Sequence, residues 1–328
     1  MIEPVASYSH SGPAHKLRVF WRALTALLDR RFVGRVFGGY KLEKVLGAGR
    51  FATCFLARKE ADGIRVADAR CDSERLPGIL AWLCSFPYLA APDAPVSGEG
   101  ERVVMKLVKP QHGRMDMQAV WAECSALQAC SHPAIPEWLG IVNAGAKGLE
   151  AAKPYFIVES CMPGRSLAHW LQKERHVFGM AETRAVGLQL LDVLEHLEQR
   201  SLVHRDLRPA NVLYDGERVY VIDFGLSCWA YEHALSDVAD SDESAFARSF
   251  RPADPFAADR DGFASVLLFL LYSDESRIRP GVKATWREEL ILSDPLRQFL
   301  EDLFDETHPW ENCAQIRARF EQTLAASE

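Results

Sequence analysis

The sequence predicts an α+β protein with two lobes, a strand-rich first lobe with one main helix and a mostly helical second lobe. Short apolar and β-branched runs dominate residues 37–160, apart from a helical pattern near 115–130. Helical periodicity dominates residues 161–328, most clearly over 181–200, where one apolar face comprises Val186, Leu190, Leu194 and Leu197. The stretch SCMPGR at 160–165 contains proline and glycine, and we place the lobe boundary there.

Composition narrows the class of protein. A chain of 328 residues suits one large two-lobed unit, and its net charge of −7 disfavours a nucleic-acid-binding function. The 8 cysteines include no CxxC pair, which favours free thiols in a reducing compartment over a disulfide framework or zinc site. No apolar run reaches the ~18 residues of a membrane span, and no signal-peptide pattern is present, so we expect a cytoplasmic protein.

The first 36 residues form a separate region. Residues 1–14 are typical of a flexible leader, whereas 15–36 combine helical apolar spacing with many basic residues, typical of an amphipathic helix. Two interpretations stay open for this helix. It packs against the main domain, or it contacts a membrane surface or a partner protein.

In the first lobe, strands are predicted at YKLEKVL and TCFLAR, at 102–108, and near 137–142 and 154–159. Residues 59–101 form an unusually long connection, whose apolar patch at 76–92 predicts a short helical insert folded back onto the domain. In the second lobe, further helices are predicted near 260–272, 288–304 and 312–326.

Two features of the first lobe suggest phosphate binding. In LGAGRFATCFLAR, Gly47 and Gly49 let the backbone approach a phosphate, although a simple glycine hairpin explains them equally well. Lys106 lies inside the apolar strand VVMKLV, where burial without a partner is costly. Glu123 on the neighbouring predicted helix is the expected partner; the alternative is a lysine that extends to solvent from an edge strand.

A third feature lies in the second lobe, in SLVHRDLRPANVLYDGERVYVIDFGLS. Asp206 and Asn211 precede the strand NVLY, and the strand VYVID brings Asp223 to the same end. A base near a substrate hydroxyl and two oxygen ligands for Mg²⁺ are what phosphoryl transfer requires.

The motifs GAGRFA, VVMK, Glu123, HRDLRPAN and DFG, in this order, resemble the eukaryotic-like protein kinase family in a divergent form. The resemblance covers about residues 37–325. It implies a bilobal protein-kinase-like fold that uses ATP and Mg²⁺ to phosphorylate a serine or threonine hydroxyl, with autophosphorylation. The implied partner is a protein substrate that the sequence does not identify.

The resemblance also implies roles for individual residues. Lys106 would contact the α- and β-phosphates and pair with Glu123, and Asp206 would accept the proton of the substrate hydroxyl. Asn211 and Asp223 would bind Mg²⁺. Residues 158–161 would hold the adenine, and the implied ATP-binding residues are Gly47, Ala48, Gly49, Lys106, Glu159 and Cys161. Arg208 would contact the transferred phosphate, and structural or regulatory roles fall on Arg205, Phe224, Gly225 and Asp261, the last by steadying the catalytic loop.

Three departures from the family pattern keep alternatives open. Ala52 replaces the third glycine, the insert is long, and RPADP at 251–255 stands where Ala-Pro-Glu is usual, with no matching arginine evident in 305–315. A pseudokinase scaffold and a kinase of a small molecule or lipid are therefore alternatives, and the acceptor could be tyrosine. Three interpretations of the segment with Ser236, Ser241, Ser244 and Ser249 stay open. Arg205 could bind a phosphate on one of these serines, or it could bind the acidic residues between them. The segment could also be a solvated loop.

Overall fold

The computed structural model describes residues 29–48, 52–60, 102–108, 117–143, 155–230, 254–282, 284–305 and 308–325. These residues form two compact units. The N-terminal unit comprises the described residues up to Cys124 together with Pro136–Cys161. The C-terminal unit comprises Ser125–Ile135 and the described residues from Met162 onward. The sequence analysis placed a single boundary between the two lobes, after residue 160. In the structure, residues 125–135 also belong to the C-terminal unit.

The N-terminal unit is built on an antiparallel sheet in the order β1-β2-β3-β4-β6-β5. The strands are β1 (Val36–Phe37), β2 (Tyr40–Ala48), β3 (Ala52–Lys59), β4 (Arg102–Val108), β5 (Trp138–Asn143) and β6 (Tyr155–Ser160). Because side chains alternate between the faces of a strand, every second residue enters one core. Its members include Leu42, Phe55, Val103, Met105, Leu107, Phe156 and Val158. The strands predicted from the sequence are all present.

The C-terminal end of the helix predicted over 15–36 is not an α-helix in the structure. Residues 30–32 form a 3₁₀ turn, and Val36–Phe37 pair with β2 as β1. Gly38 and Gly39 both have positive φ, 54° and 81°, and make the tight turn that joins β1 to β2. The hydroxyl of Thr53 in β3 donates to Asp29 at 2.6 Å and ties this segment to the sheet. Residues 1–28 and 61–100, with most of the predicted helix and insert, lie outside the described residues.

The helix predicted near 115–130 is α1 (Met117–Ala129), which begins in the N-terminal unit and ends in the C-terminal unit. The other helices are α2 (Leu167–Gln172), α3 (Met180–Gln199), α4 (Ala257–Leu271), α5 (Trp286–Glu289), α6 (Asp294–Phe304) and α7 (Cys313–Ala325). The apolar face predicted for 181–200 is confirmed, since its four members are buried in α3. Helix α3 packs against α4 and α7.

The single helix predicted near 288–304 is wrong, because the structure divides it into α5 and α6. Pro295 lies in the first turn of α6, where a missing backbone N–H costs little, whereas a proline inside a continuous helix would break it. Short strands complete the C-terminal unit: β7 (Arg165–Ser166), β8 (Leu202–Val203), β9 (Val212–Tyr214), β10 (Val219–Val221) and β11 (Cys228–Trp229). Among the helices that the structure describes, none is long and apolar enough to cross a bilayer.

Candidate active site

Lys106 lies at the centre of the N-terminal unit's candidate site. It is in β4, an internal strand between β3 and β6, so it is not the edge-strand lysine of the alternative interpretation. Its neighbours Met105 and Leu107 enter the apolar core, so Lys106 projects from the opposite face of the sheet. There its Nζ makes an ion pair with Glu123 of α1. Both side chains are almost fully buried, with 4% and 6% exposure of the residues.

Glu159 is a second acid beside Lys106. In the register of β4 and β6, Lys106 pairs with Ile157 and Val104 with Glu159, so Lys106 and Glu159 are diagonal neighbours on one face. The Glu159 Oε1 lies 3.5 Å from the Lys106 Nζ, and Glu159 is 3% exposed. The sequence placed Glu159 in the link to adenine and did not predict that its side chain would reach the lysine.

The predicted adenine link at 158–161 is corrected at its start. Val158 belongs to the apolar core on the other face of the sheet, and β6 continues to Ser160. The Ser160 backbone N–H donates to the Glu137 carbonyl, as in a regular strand. Cys161 is the first residue after the strand, and burial raises the pKa of its thiol. A connection beginning at Cys161 replaces the one predicted to begin at Val158.

The predicted phosphate loop lies at the β2–β3 hairpin. Gly47 pairs with Cys54 and Ala48 with Thr53, and the register shifts between Val45 and Gly47. A Cβ at Gly47 would meet no atom within 4 Å, so the space beside this backbone is open, as close approach of a ligand requires. Gly49 lies outside the described residues.

In the C-terminal unit, Asp206 is oriented by two donors. Its Oδ2 accepts from the amide of Asn211 at 2.7 Å and from the Nε of Arg208 at 3.1 Å. The Asn211 amide also donates to the Asp206 carbonyl at 2.9 Å. The carboxylate therefore has a fixed position in the loop and remains partly exposed, as a base that meets a substrate must be.

The two predicted metal ligands lie at the same end of a strand pair. Val212 of β9 pairs with Val221 of β10, and the Ile222 N–H donates to the Asn211 carbonyl at 3.0 Å. Asn211 and Asp223 therefore flank one hydrogen-bonded end. Because the Asn211 amide nitrogen donates to Asp206, its side-chain oxygen is the atom left for a cation. An amide oxygen with a carboxylate is the type of ligand set that suits Mg²⁺.

The loop that contains Asp206 is held in place by Asp259. The sequence analysis predicted that Asp261 would steady this loop, and that prediction is corrected. The Asp259 carboxylate accepts from the backbone N–H groups of His204 and Arg205, each at 2.8 Å. Residues two apart on a helix lie about 200° apart around its axis, so Asp261 faces away and is exposed. Burial raises the pKa of Asp259, and the hydrogen bonds from the two backbone N–H donors oppose that rise.

Comparison with known proteins shows similarity to protein kinases. The family model described as protein kinase domain matches residues 94–243. The hormonally up-regulated neu tumor-associated kinase of Mus musculus is 32% identical over 132 residues, 39% of this chain and 17% of that protein. The probable serine/threonine-protein kinase YbdM of Bacillus subtilis is 24% identical over 218 residues, 65% of this chain and 76% of that protein. The tyrosine-protein kinase JAK1 of Danio rerio is 27% identical over 129 residues, 39% of this chain and 11% of that protein.

The chain is thus similar to the protein kinase family, in a divergent form, with the family model matching residues 94–243. Its strand-rich and helix-rich units agree with the α+β bilobal kinase fold that the sequence predicted. The match to the mouse kinase spans only about a sixth of that protein's length.

The backbone around Asp223, Phe224 and Gly225 is tightly arranged. Phe224 is fully buried, and its carbonyl accepts from both the N–H and the hydroxyl of Ser227, so the turn passes through Gly225. Asp223 and Arg205 adopt left-handed backbone conformations, with φ of 71° and 66°. Such conformations are costly for residues with side chains and indicate that the surroundings hold both residues firmly.

His204 was missed in the sequence analysis. It is 0% exposed, its Nδ1 accepts from the Asp206 N–H at 3.2 Å, and its Nε2 lies 3.2 Å from the Ile222 carbonyl. Because Nδ1 is an acceptor, the proton belongs on Nε2, which then donates to Ile222. The ring also packs edge-on against Phe224 at 4.7 Å. His204 thus links the loop of Asp206 to the segment of Asp223. Its signal in the sequence was its place at the start of HRDLRPAN, after the buried pair Leu202–Val203.

The C-terminal unit also has an ion pair near the altered closing motif. Arg260 in α4 binds Asp254 of RPADP, and both side chains are at least partly buried. Glu198 lies close enough for both charges to affect its pKa, which burial raises. An arginine that pairs with the closing motif was expected within 305–315. The arginine that binds Asp254 is instead Arg260, six residues after Asp254.

Proposed function

We propose that this chain is an ATP- and Mg²⁺-dependent protein kinase that transfers the γ-phosphoryl group to a serine or threonine hydroxyl. The observation that carries this proposal is the orientation of Asp206 by Asn211 and Arg208. A scaffold that had lost catalysis would have no need to hold a partly exposed carboxylate in this way.

In the proposed reaction, Asp206 acts as the base. Its carboxylate orients the substrate hydroxyl and accepts its proton as the hydroxyl oxygen forms a bond to the γ-phosphorus. The bond between that phosphorus and the β–γ bridging oxygen breaks, and ADP leaves with the electron pair. Asn211 keeps Asp206 in place and Arg208 supplies positive charge near the transferred group.

The remaining charged residues would bind the nucleotide. Asn211 and Asp223 would hold Mg²⁺, which, when bound, neutralises phosphate charge and orients the transferred group. Lys106 would bind phosphate oxygens while Glu123 keeps its ammonium in position. Gly47 would allow the backbone to approach the phosphates.

The choice of serine or threonine as the acceptor rests on the relatives and not on the geometry of the site. The printed name of the Bacillus subtilis relative specifies a serine/threonine kinase, and its match covers more of this chain than the match to JAK1 does. We extend the proposal to autophosphorylation, for which the candidate acceptors Ser236, Ser241, Ser244 and Ser249 lie outside the described residues.

The test is phosphotransfer by the purified chain with γ-labelled ATP and Mg²⁺, alone and with general protein substrates. Asp206→Asn is compared with Glu217→Gln, a neutralised acid on the exposed β9–β10 turn. We expect labelling by the wild type and by Glu217→Gln, and a loss of about 10²–10⁴-fold in Asp206→Asn. Mass spectrometry of the labelled sites identifies the acceptor residue.

Two results would contradict the proposal. If Asp206→Asn were labelled as strongly as the wild type, Asp206 would not be the base. If only tyrosine were labelled, the acceptor would not be serine or threonine. Nucleotide binding without labelling of any added protein would favour the scaffold or small-molecule alternatives.

A further inference from the structure

Residues 30–36 form a cationic surface of the N-terminal unit, which we call the arginine rim. Its three arginines, Arg30, Arg31 and Arg35, are all exposed. Within the part of the chain that the structure describes, no carboxylate forms an ion pair with any of them. Asp29, the acid that precedes them in sequence, is buried and accepts a hydrogen bond from β3. The rim therefore presents three positive charges on a chain whose net charge is −7.

The ring of Phe32 anchors the rim to the sheet. It packs edge-on against the rings of Phe37 and Phe55, with centroids 6.1 and 6.4 Å away, and Phe55 belongs to the apolar core. The guanidinium carbons of Arg31 and Arg35 lie 5.1 and 5.9 Å from the centroid of the same Phe32 ring. Contact with one ring thus holds two positive charges close to each other, which favours an anionic ligand.

The backbone of the rim is fixed to the sheet as well. The N–H of Gly34 donates to the Leu42 carbonyl at 2.7 Å, and the N–H of Leu42 donates to the Arg35 carbonyl at 3.0 Å. A surface bound to the rim would therefore orient the whole sheet. Phe55, against which the rim packs, pairs with Met105 in the core, on the face of the sheet opposite Lys106. Binding at the rim leaves the Lys106 face of this unit open.

Two apolar side chains project beside the arginines. Val33 is 38% exposed and Val36 is 48% exposed. Lys41 pairs with Val36 across β1 and β2, but it adds no net charge because Glu60 lies 3.6 Å from its Nζ. Aliphatic side chains among arginines fit the interface of a bilayer, where cations meet phosphates and apolar groups reach the acyl boundary. The sugar-phosphate backbone of a nucleic acid offers no such apolar layer.

We propose that residues 30–36 bind the surface of a bilayer that contains anionic phospholipids. The preceding sequence agrees with this partner, because residues 15–28 combine helical apolar spacing with Lys16, Arg18 and Arg22. The negative net charge of the chain also favours one orientation, in which the rim faces the anionic surface and the acidic remainder points away. This inference does not depend on the proposed phosphotransfer, which it would place beside a membrane.

The test is co-sedimentation of the full chain with vesicles of equal parts phosphatidylcholine and phosphatidylserine. A variant with Arg30→Gln, Arg31→Gln and Arg35→Gln should bind about 10²-fold more weakly than the wild type, since each basic residue near an anionic surface contributes about fivefold. Binding by the wild type should also weaken as salt is added, because the Debye length falls from about 10 Å at ~0.1 M to about 3 Å at ~1 M.

The matched control makes the same change of charge on three exposed residues of the C-terminal unit. It combines Lys173→Gln, Arg218→Gln and Arg279→Gln. This control should bind the vesicles as the wild type does. Both triple variants should unfold at the wild-type denaturant concentration, because the substituted side chains are exposed.

A second variant separates a bilayer from other anions. Val33→Thr with Val36→Thr keeps the charge and the shape of the rim but replaces apolar atoms by hydroxyls, so it should bind vesicles severalfold more weakly. Its binding to duplex DNA at the same phosphate concentration should not change.

Four results would overturn the proposal. They are no binding of the wild type to the anionic vesicles, equal binding to vesicles of phosphatidylcholine alone, equal binding by the arginine variant, and equal loss of binding in the C-terminal control. Arginine-dependent binding to duplex DNA without binding to vesicles would assign the rim to a nucleic acid instead. The assay contains no nucleotide, so a failure of the proposed phosphotransfer would leave its result unchanged.

Discussion

Asp259 accepts the backbone N–H of His204 at 2.8 Å, and its other oxygen accepts the N–H of Arg205 at the same distance. One buried carboxylate on α4 thereby fixes two consecutive peptide groups immediately before Asp206. Arg205 requires such support because its φ of 66° is unfavourable for a residue with a side chain.

Asp259→Asn should destabilise the chain and lower its phosphotransfer activity. The asparagine has only one oxygen acceptor, so one of the two buried N–H groups loses its partner, at a cost of about 1–3 kcal/mol. The loop then holds Asp206 less firmly. Denaturant unfolding measures the stability, and labelling with γ-labelled ATP measures the activity.

Asp261→Asn is the control, because it makes the same change two residues later on the exposed face of α4. It should alter the stability by no more than about 0.5 kcal/mol. If Asp261→Asn were the more harmful of the two, the assignment of the loop support to Asp259 would be wrong.

The confusion between Asp259 and Asp261 shows which parts of a site a sequence specifies. Residues with fixed spacing along one loop, such as Asp206 and Asn211, are in contact in the structure because they are close in sequence. The contact between Asp259 and His204 spans 55 residues, so its partner depends on which face of α4 is buried. Both aspartates lie in one short polar stretch, and the amphipathic pattern of α4 is too weak there to choose between them.

Glu159 illustrates a related limit. The sequence placed it near the nucleotide, but the direction of its side chain depends on the register of β4 with β6. A shift of one residue would exchange the faces of Val158 and Glu159. The core, with Val158 beside Phe156 and Met105, sets that register through packing, which the separate strand patterns do not reveal.

Lys106→Met should be strongly destabilising, because it leaves Glu123 and Glu159 buried without the ammonium that they share. Removal of one partner of a buried ion pair typically costs about 3–5 kcal/mol. Addition of Glu123→Leu to this variant should restore part of the stability, because one of the two buried acids is removed. Phosphotransfer should stay absent from both variants, since neither contains the phosphate-binding lysine.

Unfolding curves of the single and double variants separate the two roles of Lys106. Equal stability of wild type and Lys106→Met would show that the lysine does not neutralise the buried acids. Activity in the double variant would exclude Lys106 from the reaction.

His204→Phe should uncouple the loop of Asp206 from the segment of Asp223. Phenylalanine retains a ring against Phe224 but has no polar atoms, so the Asp206 N–H and the Ile222 carbonyl lose their partner. We expect a loss of about 1–3 kcal/mol in stability for each group left unsatisfied, and reduced activity. His308→Phe, at a histidine distant in sequence from this loop, serves as the comparison, and an equal loss of activity there would contradict the specific role of His204.

The final prediction concerns two histidines of the C-terminal unit that lie outside the candidate site. The rings of His132 and His196 are 4.9 Å apart, and the Nη1 of Arg200 lies 3.2 Å from the His196 Nδ1. The pKa of His196 is lowered from 6.5 to about 4 by burial, by Arg200 and by His132. Burial also lowers the pKa of His132, although the nearby Asp192 opposes this.

These pKa changes predict a loss of stability in acid. An unfolded chain protonates both histidines near pH 6.5, whereas the folded chain resists protonation of His196 down to about 4. Between these values the unfolded state binds more protons. The free energy of unfolding should therefore be constant with respect to these groups above about 6.5 and fall below it, by at most about 1.4 kcal/mol per pH unit for each histidine.

Denaturant unfolding at several pH values, with His196→Phe and His169→Gln as variants, measures this effect. His196→Phe cannot take up the proton and should flatten the decline between about pH 6.5 and 4. His169 lies at the surface beside Glu174, so its removal should leave the decline in place. A decline of equal slope in the wild type and in His196→Phe would show that His196 is not the source of the acid sensitivity.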